Sequence, residues 1–421
     1  MSASSRKQPR MSVFTPSHDP RWLDDCHRSL MDQTFADWEW VVVLSGGATQ
    51  WSPPVPDERI RVASGRFPRK VGAAKHAACE LCEGDILVEL DHDDILAPDC
   101  LAEINAAFEA NPSASLVFSD FAQINEDGSP NFDRFDPAMG WEYSEEQICG
   151  QTYLRCHGMA PYPHNVSYIW YAPNHPRAFQ RSAYIAAGGY NPNLAVLDDQ
   201  DLMMRLFLVG DFEHIHRCLY LQRMHAANTQ RDPATNSFIQ EETVRFYDRY
   251  IADLASAWSR RNDLAVVTVV TPTSPKSDDP DPGDVLIIDP ERPSLPFEDD
   301  SVGVIKGTEL LQRLPDRIGF FNECYRVLVH GGMALTHTPS TDGRGAFQDP
   351  NHVSFWNENS FWYLTQDRLR PLLGGYVGRF QVSRIRTWFP TDWEREVNIS
   401  YVQTHLMAIK DGPRLGGPLL C

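Results

Sequence analysis

Apolar residues follow two alternating patterns along the first part of the chain. Short runs of consecutive apolar residues, rich in β-branched side chains, predict buried strands, and apolar residues that return every three or four positions predict helices. The runs are Met11–Phe14, Trp38–Leu44, Ile86–Leu90 and Ala114–Phe118, and the helical stretches are Leu23–Gln33, Val71–Glu83 and Leu101–Phe108. Strands that alternate with helices in this way favour an α/β fold with a parallel sheet.

Three carboxylates, Asp91, Asp93 and Asp94, follow the predicted strand Ile86–Leu90. Ionised carboxylates repel one another, and partial burial adds to the cost. A divalent cation commonly compensates such a cluster, and alternate residues of an extended backbone point the same way, as Asp91 and Asp93 would. The alternative is an acidic turn in which Asp94 or Asp99 caps the next helix. Open α/β sheets bind ligands at the carboxyl ends of their strands, which favours a metal site.

Beyond residue 120 the periodicity weakens, and the segment Met139–Arg181 is dense in aromatic, proline and histidine residues. Such a segment either packs its rings into a small core or forms an acceptor cleft, since aromatic faces stack on sugars. Helical spacing returns over 240–261, and a Pro/Asp/Ser-rich stretch then precedes a strand at Asp284–Asp289. The predicted organisation is a disordered tail (1–10), a first domain (11–238), a connecting helix and linker (239–283), and a second domain (284–421).

Composition excludes several classes of protein. The 421 residues include 42% hydrophobic and 23% charged residues, which is typical of a globular protein with two or three domains. A net charge of −19 argues against a nucleic-acid partner. No apolar run approaches the roughly 20 residues of a transmembrane helix. The N-terminus lacks the apolar core of a signal peptide, and nine cysteines form no framework, so we expect a cytoplasmic protein with free thiols.

Several blocks, taken in order, resemble the family 2 glycosyltransferases, which are inverting enzymes of the GT-A fold that use nucleotide-sugars. The blocks are Ser12-Val13-Phe14-Thr15-Pro16, Gln33-Thr34-Phe35, Gly72-Ala73-Ala74-Lys75-His76, Asp91-His92-Asp93-Asp94, Gly188-Gly189-Tyr190 and Asp198-Asp199. The resemblance runs from about Met11 to about Asn228. It implies a GT-A nucleotide-sugar-binding domain.

The resemblance also implies roles on the donor side. Asp91 and Asp93 match the Asp-x-Asp motif, which contacts the nucleotide and holds Mn²⁺ or Mg²⁺. Thr15 and Pro16 match the loop that lines the base pocket. Lys75 matches a basic residue near the nucleotide, although the spacing also fits a surface lysine on a helix.

One block departs from the family pattern. Many members have two aspartates where this chain has Leu44-Ser45-Gly46-Gly47. The usual carboxylate contact to the base is therefore missing or is supplied by another residue. Whether the donor is a UDP-sugar or another nucleoside-diphosphate sugar stays open.

On the acceptor side, Asp199 matches the catalytic base of the family. An inverting transfer needs a carboxylate opposite the leaving diphosphate to take the proton of the acceptor hydroxyl. The alternative is that Asp198 and Asp199 compensate the dipole of the following helix. We place Asp198, Trp170 and Tyr171 on the acceptor side. His225 matches a position that approaches the metal, but a single histidine is also compatible with a structural role.

The C-terminal part resembles the second half of class I S-adenosylmethionine-dependent methyltransferases. The motifs are Leu295-Pro296-Phe297 with Asp299 and Ser301, and Arg326-Val327-Leu328 with Gly331-Gly332. The glycine turn that holds the cofactor is missing, because the candidate first strand runs into Thr271-Pro272-Thr273-Ser274-Pro275 and prolines offer no N–H group. We therefore expect a partial, Rossmann-like methyltransferase-type domain with a structural or partner-binding role, and S-adenosylmethionine is not an expected cofactor.

These observations together predict a metal-dependent inverting glycosyltransferase that moves a sugar from a nucleotide-sugar to a hydroxyl acceptor, a glycan or another molecule. Two alternatives remain at this point. One is a bifunctional glycosyltransferase and methyltransferase, and the other is a non-catalytic binding protein on a decayed transferase fold. The sequence predicts no particular oligomeric state.

Overall fold

A computed structural model describes residues 8–46, 50–65, 70–275 and 279–421, and the side chain of Gln230 is not described. The chain forms two compact units. The first unit comprises residues 8–161 and 165–249, and the second comprises residues 162–164 and 250–421. Most of the tail predicted over residues 1–10, and Gly47 of the segment that departs from the family pattern, lie outside the described residues.

The first unit is built on one mixed sheet. Its strands are β1 Met11–Ser17, β2 Trp38–Leu44, β3 Ile60–Ser64, β4 Ile86–Glu89, β5 Ile95–Leu96, β6 Ala114–Asn125, β7 Tyr143–Ile148, β8 Gln151–Cys156, β9 Arg177–Gln180 and β10 Asp211–Met224. The helices up to residue 261 are α1 Leu23–Met31, α2 Val71–Leu81, α3 Cys100–Ala110, α4 Pro163–Val166, α5 Arg181–Ala186, α6 Asp198–Val209 and α7 Pro233–Arg261. Short 3₁₀ turns cover Pro137–Met139 and Thr229–Arg231.

The strand order of this sheet is β3-β2-β1-β4-β9-β6-β10-β5, and the hairpin β7–β8 pairs with β6 through β8. Strands β3, β2, β1 and β4 pair in parallel, as do β6 and β10, whereas β9 is antiparallel to both β4 and β6. The carboxyl ends of β1, β4, β6 and β10 therefore meet at one edge, where β9 begins. The mixed α/β fold predicted from the alternating patterns is confirmed.

The central strands β1, β2, β4 and β6 are almost entirely buried, as parallel strands covered on both faces should be. A buried hydroxyl aligns β4 with β1. Ser12 Oγ donates to Glu39 Oε1 at 2.6 Å and accepts the N–H groups of Gly84 at 2.7 Å and Glu83 at 3.1 Å. These bonds fix the start of β4, the strand that leads to the acidic cluster.

The sequence patterns missed regular structure between residues 139 and 181, where the hairpin β7–β8 and the short strand β9 lie. The first strand of the hairpin is mostly polar and half-exposed, so it has no apolar run to reveal it. Its turn contains Cys149 at φ 51° and Gly150 at φ 78°, a backbone that suits a tight hairpin but has only one glycine as a signal. Strand β10 is also longer than its apolar stretch, because β-bulges interrupt its pairing with β6.

The second unit also contains an α/β sheet. Its strands are β11 Ala265–Val270, β12 Asp284–Ile287, β13 Val302–Thr308, β14 Leu328–Pro339, β15 Phe380–Trp388 and β16 Tyr401–Ala408, in the order β12-β11-β13-β14-β16-β15. Strands β11 to β14 pair in parallel, and β16 is antiparallel to both neighbours. Helices are α8 Arg317–Val327, α9 Gly345–Gln348, α10 Glu358–Thr365 and α11 Asp392–Glu396, with 3₁₀ turns at Leu311–Arg313 and Arg370–Leu372.

Residues 162–164, although early in the chain, pack in this second unit. The ring of Tyr162 meets Trp258 edge-on at 5.8 Å between centroids, and His164 Nε2 lies 3.1 Å from the carbonyl oxygen of Gly416. No helix among the described residues is both long enough and apolar enough to span a bilayer.

Substitution of Gly84 by alanine tests the alignment of β4. A Cβ atom at this position would lie 2.6 Å from both Met11 C and Ser12 N, which are backbone atoms and cannot move aside cheaply. We expect the free energy of unfolding of the G84A variant to fall by about 1–3 kcal/mol, measured by chemical denaturation. Gly374→Ala is the control, because no atom lies within 4 Å of its added Cβ. An equal, negligible effect of both substitutions would contradict this packing.

Candidate active site

A cavity of about 980 Å³ opens in the first unit at the edge where the parallel strands end. It collects acidic, aromatic and histidine side chains from distant parts of the chain. The lining includes Pro16, His18, Ser45, Gly46, Lys75, Asp91, His92, Asp93, Trp141, Trp170, Tyr171, His175, Arg177, Asp198, Asp199 and His225. Most of the candidate residues predicted from the sequence thus share one cavity, at the position where open α/β sheets bind ligands.

The acidic cluster after β4 divides into two exposed carboxylates and one buried carboxyl group. The side chain of Asp91 is 34% exposed and that of Asp93 is 13% exposed, and both line the cavity. Asp94 is buried, and its Oδ1 accepts the backbone N–H of Arg223 at 2.7 Å. Burial, together with the charges of Asp93 and Asp91, raises the pKa of Asp94 well above its usual range. Asp94 therefore ties β10 to this turn and caps no helix.

His225 lies beside Asp93 at the end of β10. Its Nε2 atom is 2.8 Å from Asp93 Oδ2, and its Nδ1 atom accepts the backbone N–H of Ala227 at 3.1 Å. Nδ1 is thus an acceptor, and Nε2 is the ring nitrogen that faces Asp93. The ring also packs against Trp22 at 4.5 Å between centroids. His225 therefore contacts Asp93 directly, and its role as a metal ligand stays a prediction.

The donor set around Asp91 and Asp93 suits a hard divalent cation. Carboxylate oxygens are the ligands that Mg²⁺ and Mn²⁺ prefer. In the part of the chain that the structure describes, neither carboxylate is paired with a lysine or arginine. Asp91 has His175 Nε2 at 3.6 Å, and Asp93 has His225. The two carboxylates thus keep negative charge directed into the cavity.

Glu89, the last residue of β4, is a fully buried carboxylate surrounded by cationic side chains. Lys75 Nζ lies 2.5 Å from its Oε1, while His175 Nε2 and Arg177 Nη1 lie 3.5 Å and 3.6 Å from its Oε2. Burial alone would raise the pKa of Glu89, but Lys75, His175 and Arg177 hold it well below its usual range. Glu89 is therefore ionised in the interior.

Asp198 and Asp199 stand at the first turn of α6 and each contacts one of these cations. Asp198 Oδ2 lies 3.1 Å from Lys75 Nζ, and Asp199 Oδ2 lies 2.7 Å from Arg177 Nη1. Burial raises the pKa of Asp198 to about 6 against the opposing charge of Lys75. Burial acts on Asp199 in the same direction, but Arg177 and Lys75 lower the pKa of Asp199 below its usual range. Asp199 is ionised at neutral pH, and Gln200 N–H also donates to its Oδ1 at 2.8 Å.

Two predicted donor-side residues have structural partners. Thr15 is fully buried and its Oγ1 accepts the indole N–H of Trp40 at 2.9 Å, so its side chain faces the core, while Pro16 lines the cavity. Lys75 is not a surface lysine: it is buried, and burial lowers its pKa less than Asp198 and Glu89 raise it. Its ammonium group is held between these two carboxylates.

The aromatic segment supplies one wall of the cavity. Trp141 and Tyr171 stack at 6.0 Å between centroids with an interplanar angle of 17°, and Phe135 lies 5.0 Å from Trp141. Trp170 and Met139 complete this wall. The packing interpretation is confirmed for Tyr171, which is buried in a small cluster and also borders the cavity, while the acceptor role of the segment stays a prediction.

Sequence reasoning missed Glu89, His175 and Arg177. Glu89 had a usable signal, since a charged residue inside an apolar strand is rarely buried without a partner. His175 and Arg177 had none, because they lie in a segment without periodicity and far along the chain from Glu89. Only the pairing of β9 with β4 brings them together.

A second group of possible metal ligands, Asp120, His214 and His216, has a simpler structural role. The ligand atoms lie within 4.8 Å of one another. However, Asp120 Oδ1 accepts the N–H of Gly158 and a bond from His214, both at 2.7 Å, and Asp120 Oδ2 accepts Arg155 Nε at 2.6 Å. With both oxygens engaged, this carboxylate fastens β8 to β6 and β10.

Comparisons with known proteins agree with the blocks seen in the sequence. Residues 12–168 match the family model described as glycosyl transferase family 2. The chondroitin synthase of Escherichia coli is 25% identical over 236 residues, 54% of this chain and 31% of the synthase. The O-antigen biosynthesis protein RfbC of Myxococcus xanthus is 26% identical over 275 residues, 63% of this chain and 19% of that protein. The chain thus spans less than a third of the length of these relatives.

Among solved structures, Staphylococcus aureus TarS 1–349 in complex with UDP-GlcNAc aligns with a TM-score of 0.40 and 13% identity, covering 60% of this chain and 72% of that one. The family match and the curated relatives support a family 2 glycosyltransferase domain in the first unit.

Removal of the Lys75 ammonium tests the buried ion pairs. We expect Lys75→Met to lower the free energy of unfolding by about 3–5 kcal/mol, because Glu89 and Asp198 then lack their nearest cation. The double variant Lys75→Met with Glu89→Gln is the control, and it should lose less stability than the single variant. Chemical denaturation measures both. A double variant that loses the sum of the two single losses would show that these groups do not interact.

Proposed function

We propose that the first unit is a metal-dependent inverting glycosyltransferase of the GT-A fold, which transfers a sugar from a nucleotide-sugar to an acceptor hydroxyl. The observation that supports it most directly is the shared cavity, whose lining includes Asp91, Asp93 and Asp199. The family match over residues 12–168 agrees with this assignment. The named relatives build chondroitin or act in O-antigen biosynthesis, which favours a glycan as the acceptor.

Asp91 and Asp93 are proposed to hold Mn²⁺ or Mg²⁺ and the nucleotide-sugar diphosphate, with His225 as a further proposed ligand of the cation. When bound, the cation would supply positive charge that stabilises the departing diphosphate. Pro16 and the residues Ser45 and Gly46 border the same side of the cavity and suit the nucleotide base. Since Ser45 replaces a carboxylate of many relatives, the proposal covers UDP-sugars and other nucleoside-diphosphate sugars.

Asp199 is proposed as the general base. It takes the proton of the acceptor hydroxyl as that oxygen bonds to the anomeric carbon, and the bond from this carbon to the diphosphate oxygen breaks with its electron pair leaving on the diphosphate. Attack from the face opposite the leaving group inverts the configuration. The Arg177 guanidinium keeps Asp199 ionised before the reaction. Asp198 and the rings of Trp170 and Tyr171 lie on the acceptor side, where aromatic faces can stack on a sugar.

Substitutions of the two acidic sites test this mechanism. We expect Asp199→Asn to lower kcat about 10²–10⁴-fold, because the acceptor proton loses its base. Asp93→Ala should abolish Mn²⁺-dependent binding of the donor, which in the wild type stabilises the fold by about 2.7 kcal/mol at a hundredfold excess over Kd. Transfer or donor hydrolysis with a panel of nucleotide-sugars, and thermal shifts with and without Mn²⁺, measure these effects.

Asp133→Asn is the matched control for both substitutions, because Asp133 is exposed and does not line the cavity. Full activity of Asp199→Asn with its fold intact would reject Asp199 as the base. A wild-type protein that binds no nucleoside diphosphate with Mn²⁺ would favour a non-catalytic binding protein on a decayed transferase fold.

For the second unit we propose a partial, Rossmann-like methyltransferase-type domain that does not use S-adenosylmethionine. The parallel order of β12, β11 and β13 supports the Rossmann-like part. The turn after β11 supports the loss of the cofactor site. There Ser274 Oγ accepts the N–H of Thr271 at 2.9 Å, and Pro272 and Pro275 have no N–H to offer a ligand. An active methyltransferase, and hence a bifunctional enzyme, is the competing proposal.

Calorimetry with S-adenosylmethionine decides between these two proposals. We expect no binding heat at millimolar ligand, because residues 271–275 after β11 include two prolines and no glycine. Titration of the same sample with a nucleoside diphosphate and Mn²⁺ serves as a control for folded protein. A saturable S-adenosylmethionine isotherm in the micromolar range would overturn the proposal and favour a bifunctional enzyme.

A further inference from the structure

Glu89 is a charged residue that is buried and does not line the cavity. It ends β4 with no exposed surface and does not border the cavity, so it touches neither donor nor acceptor. Its carboxylate is approached by Lys75, His175 and Arg177 at 2.5 to 3.6 Å. A buried charge of this kind persists only where several partners compensate it.

Each of the three side chains that approach Glu89 also reaches a carboxylate that lines the cavity. Lys75 Nζ lies 3.1 Å from Asp198 Oδ2, and Arg177 Nη1 lies 2.7 Å from Asp199 Oδ2. His175 Nε2 lies 3.6 Å from Asp91 Oδ2. The partners of Glu89 thus also contact Asp91 on the donor side and Asp198 and Asp199 on the acceptor side.

We propose that Glu89 is a positioning residue of the transferase: it holds Lys75, His175 and Arg177 in place, and through them it orients Asp198, Asp91 and Asp199. The proposal rests on the proposed function of the first unit. Glu89 acts through these partners and takes no part in bond formation.

The charge of Glu89 has a second effect on the acceptor side. Its repulsion raises the pKa of Asp198 and opposes the lowering of the pKa of Asp199 by Arg177 and Lys75. Without that charge, both cations would pair only with the two aspartates, and both carboxyl pKa values would fall. The remaining titratable groups that feel Glu89 are Cys79 of α2 and Tyr190, and burial raises the pKa of both, so they stay neutral.

Glu89→Gln tests the proposal because it removes the charge and keeps the size of the side chain. A weaker base at Asp199 should lower kcat about tenfold or more, and the acid limb of the kcat profile should move to lower pH. The KM for the nucleotide-sugar should change less than kcat does, because Glu89 reaches the donor side only through His175 and Asp91. Glu89→Asp, which keeps the charge, should restore the acid limb towards its wild-type pH.

The matched control is Glu39→Gln. Glu39 is a second fully buried glutamate, on β2, where Ser12 and Arg61 contact it away from the cavity. Its loss should reduce stability without moving the pH profile. If Glu89→Gln behaves as Glu39→Gln does, with an unchanged acid limb and kcat, Glu89 is merely structural and the proposal is overturned.

A carboxyl-carbon NMR titration of Asp198 and Asp199 separates this proposal from the proposed function. If the pKa values of Asp198 and Asp199 are lower in Glu89→Gln but the wild type transfers no sugar, the link between Glu89 and these aspartates stands and the transferase function is rejected. Unchanged pKa values in an active enzyme would reject the role of Glu89 alone. If Glu89→Gln does not fold, Glu89→Asp is measured instead. The aspartate side chain is one methylene shorter, so its carboxylate lies farther from Lys75. A wild-type kcat in that variant would reject the positioning role.

Discussion

The arrangement of the first unit depends on one buried negative charge, that of Glu89 at the end of β4. An unpaired ion in a protein interior costs several kcal/mol, so this carboxylate requires cations that come from elsewhere in the chain. Lys75 lies on α2. Arg177 is the first residue of β9, and His175 lies two residues before Arg177. The need to neutralise one charge therefore ties a helix and an antiparallel strand to the edge where the parallel strands end.

The cavity combines regular and irregular parts of the chain, and these suit different tasks. The carboxylates follow a strand or begin a helix, where neighbouring backbone holds them firmly. The aromatic wall around Trp141 and Tyr171 comes from loops and the base of a hairpin, which can vary without disturbing the sheet. Under the proposed function, a relative of this protein could therefore change its acceptor by changing the wall while it keeps the catalytic carboxylates.

The sequence predicted those parts of the site that are encoded locally. Asp91 and Asp93 follow a clear apolar strand, and Asp198 and Asp199 precede a helix, so pattern and motif were enough to find them. The contacts between them were not predictable, because Arg177 and His175 carry no periodic signal and meet Glu89 only through strand pairing. Thr15 and Lys75 show the limit of a family motif, which identified their neighbourhood but not the partners of their side chains. Thr15 contacts Trp40, and Lys75 contacts Glu89 and Asp198. These are tertiary contacts.

The three residues 162–164 that pack in the second unit have a consequence for how this protein can be divided. The polypeptide enters the second unit, returns to the first, and enters the second again at residue 250. A truncation at that point would leave Tyr162 without Trp258 and His164 without Gly416. Residue 250 is thus not a clean boundary between the two units, because residues 162–164 also belong to the second unit.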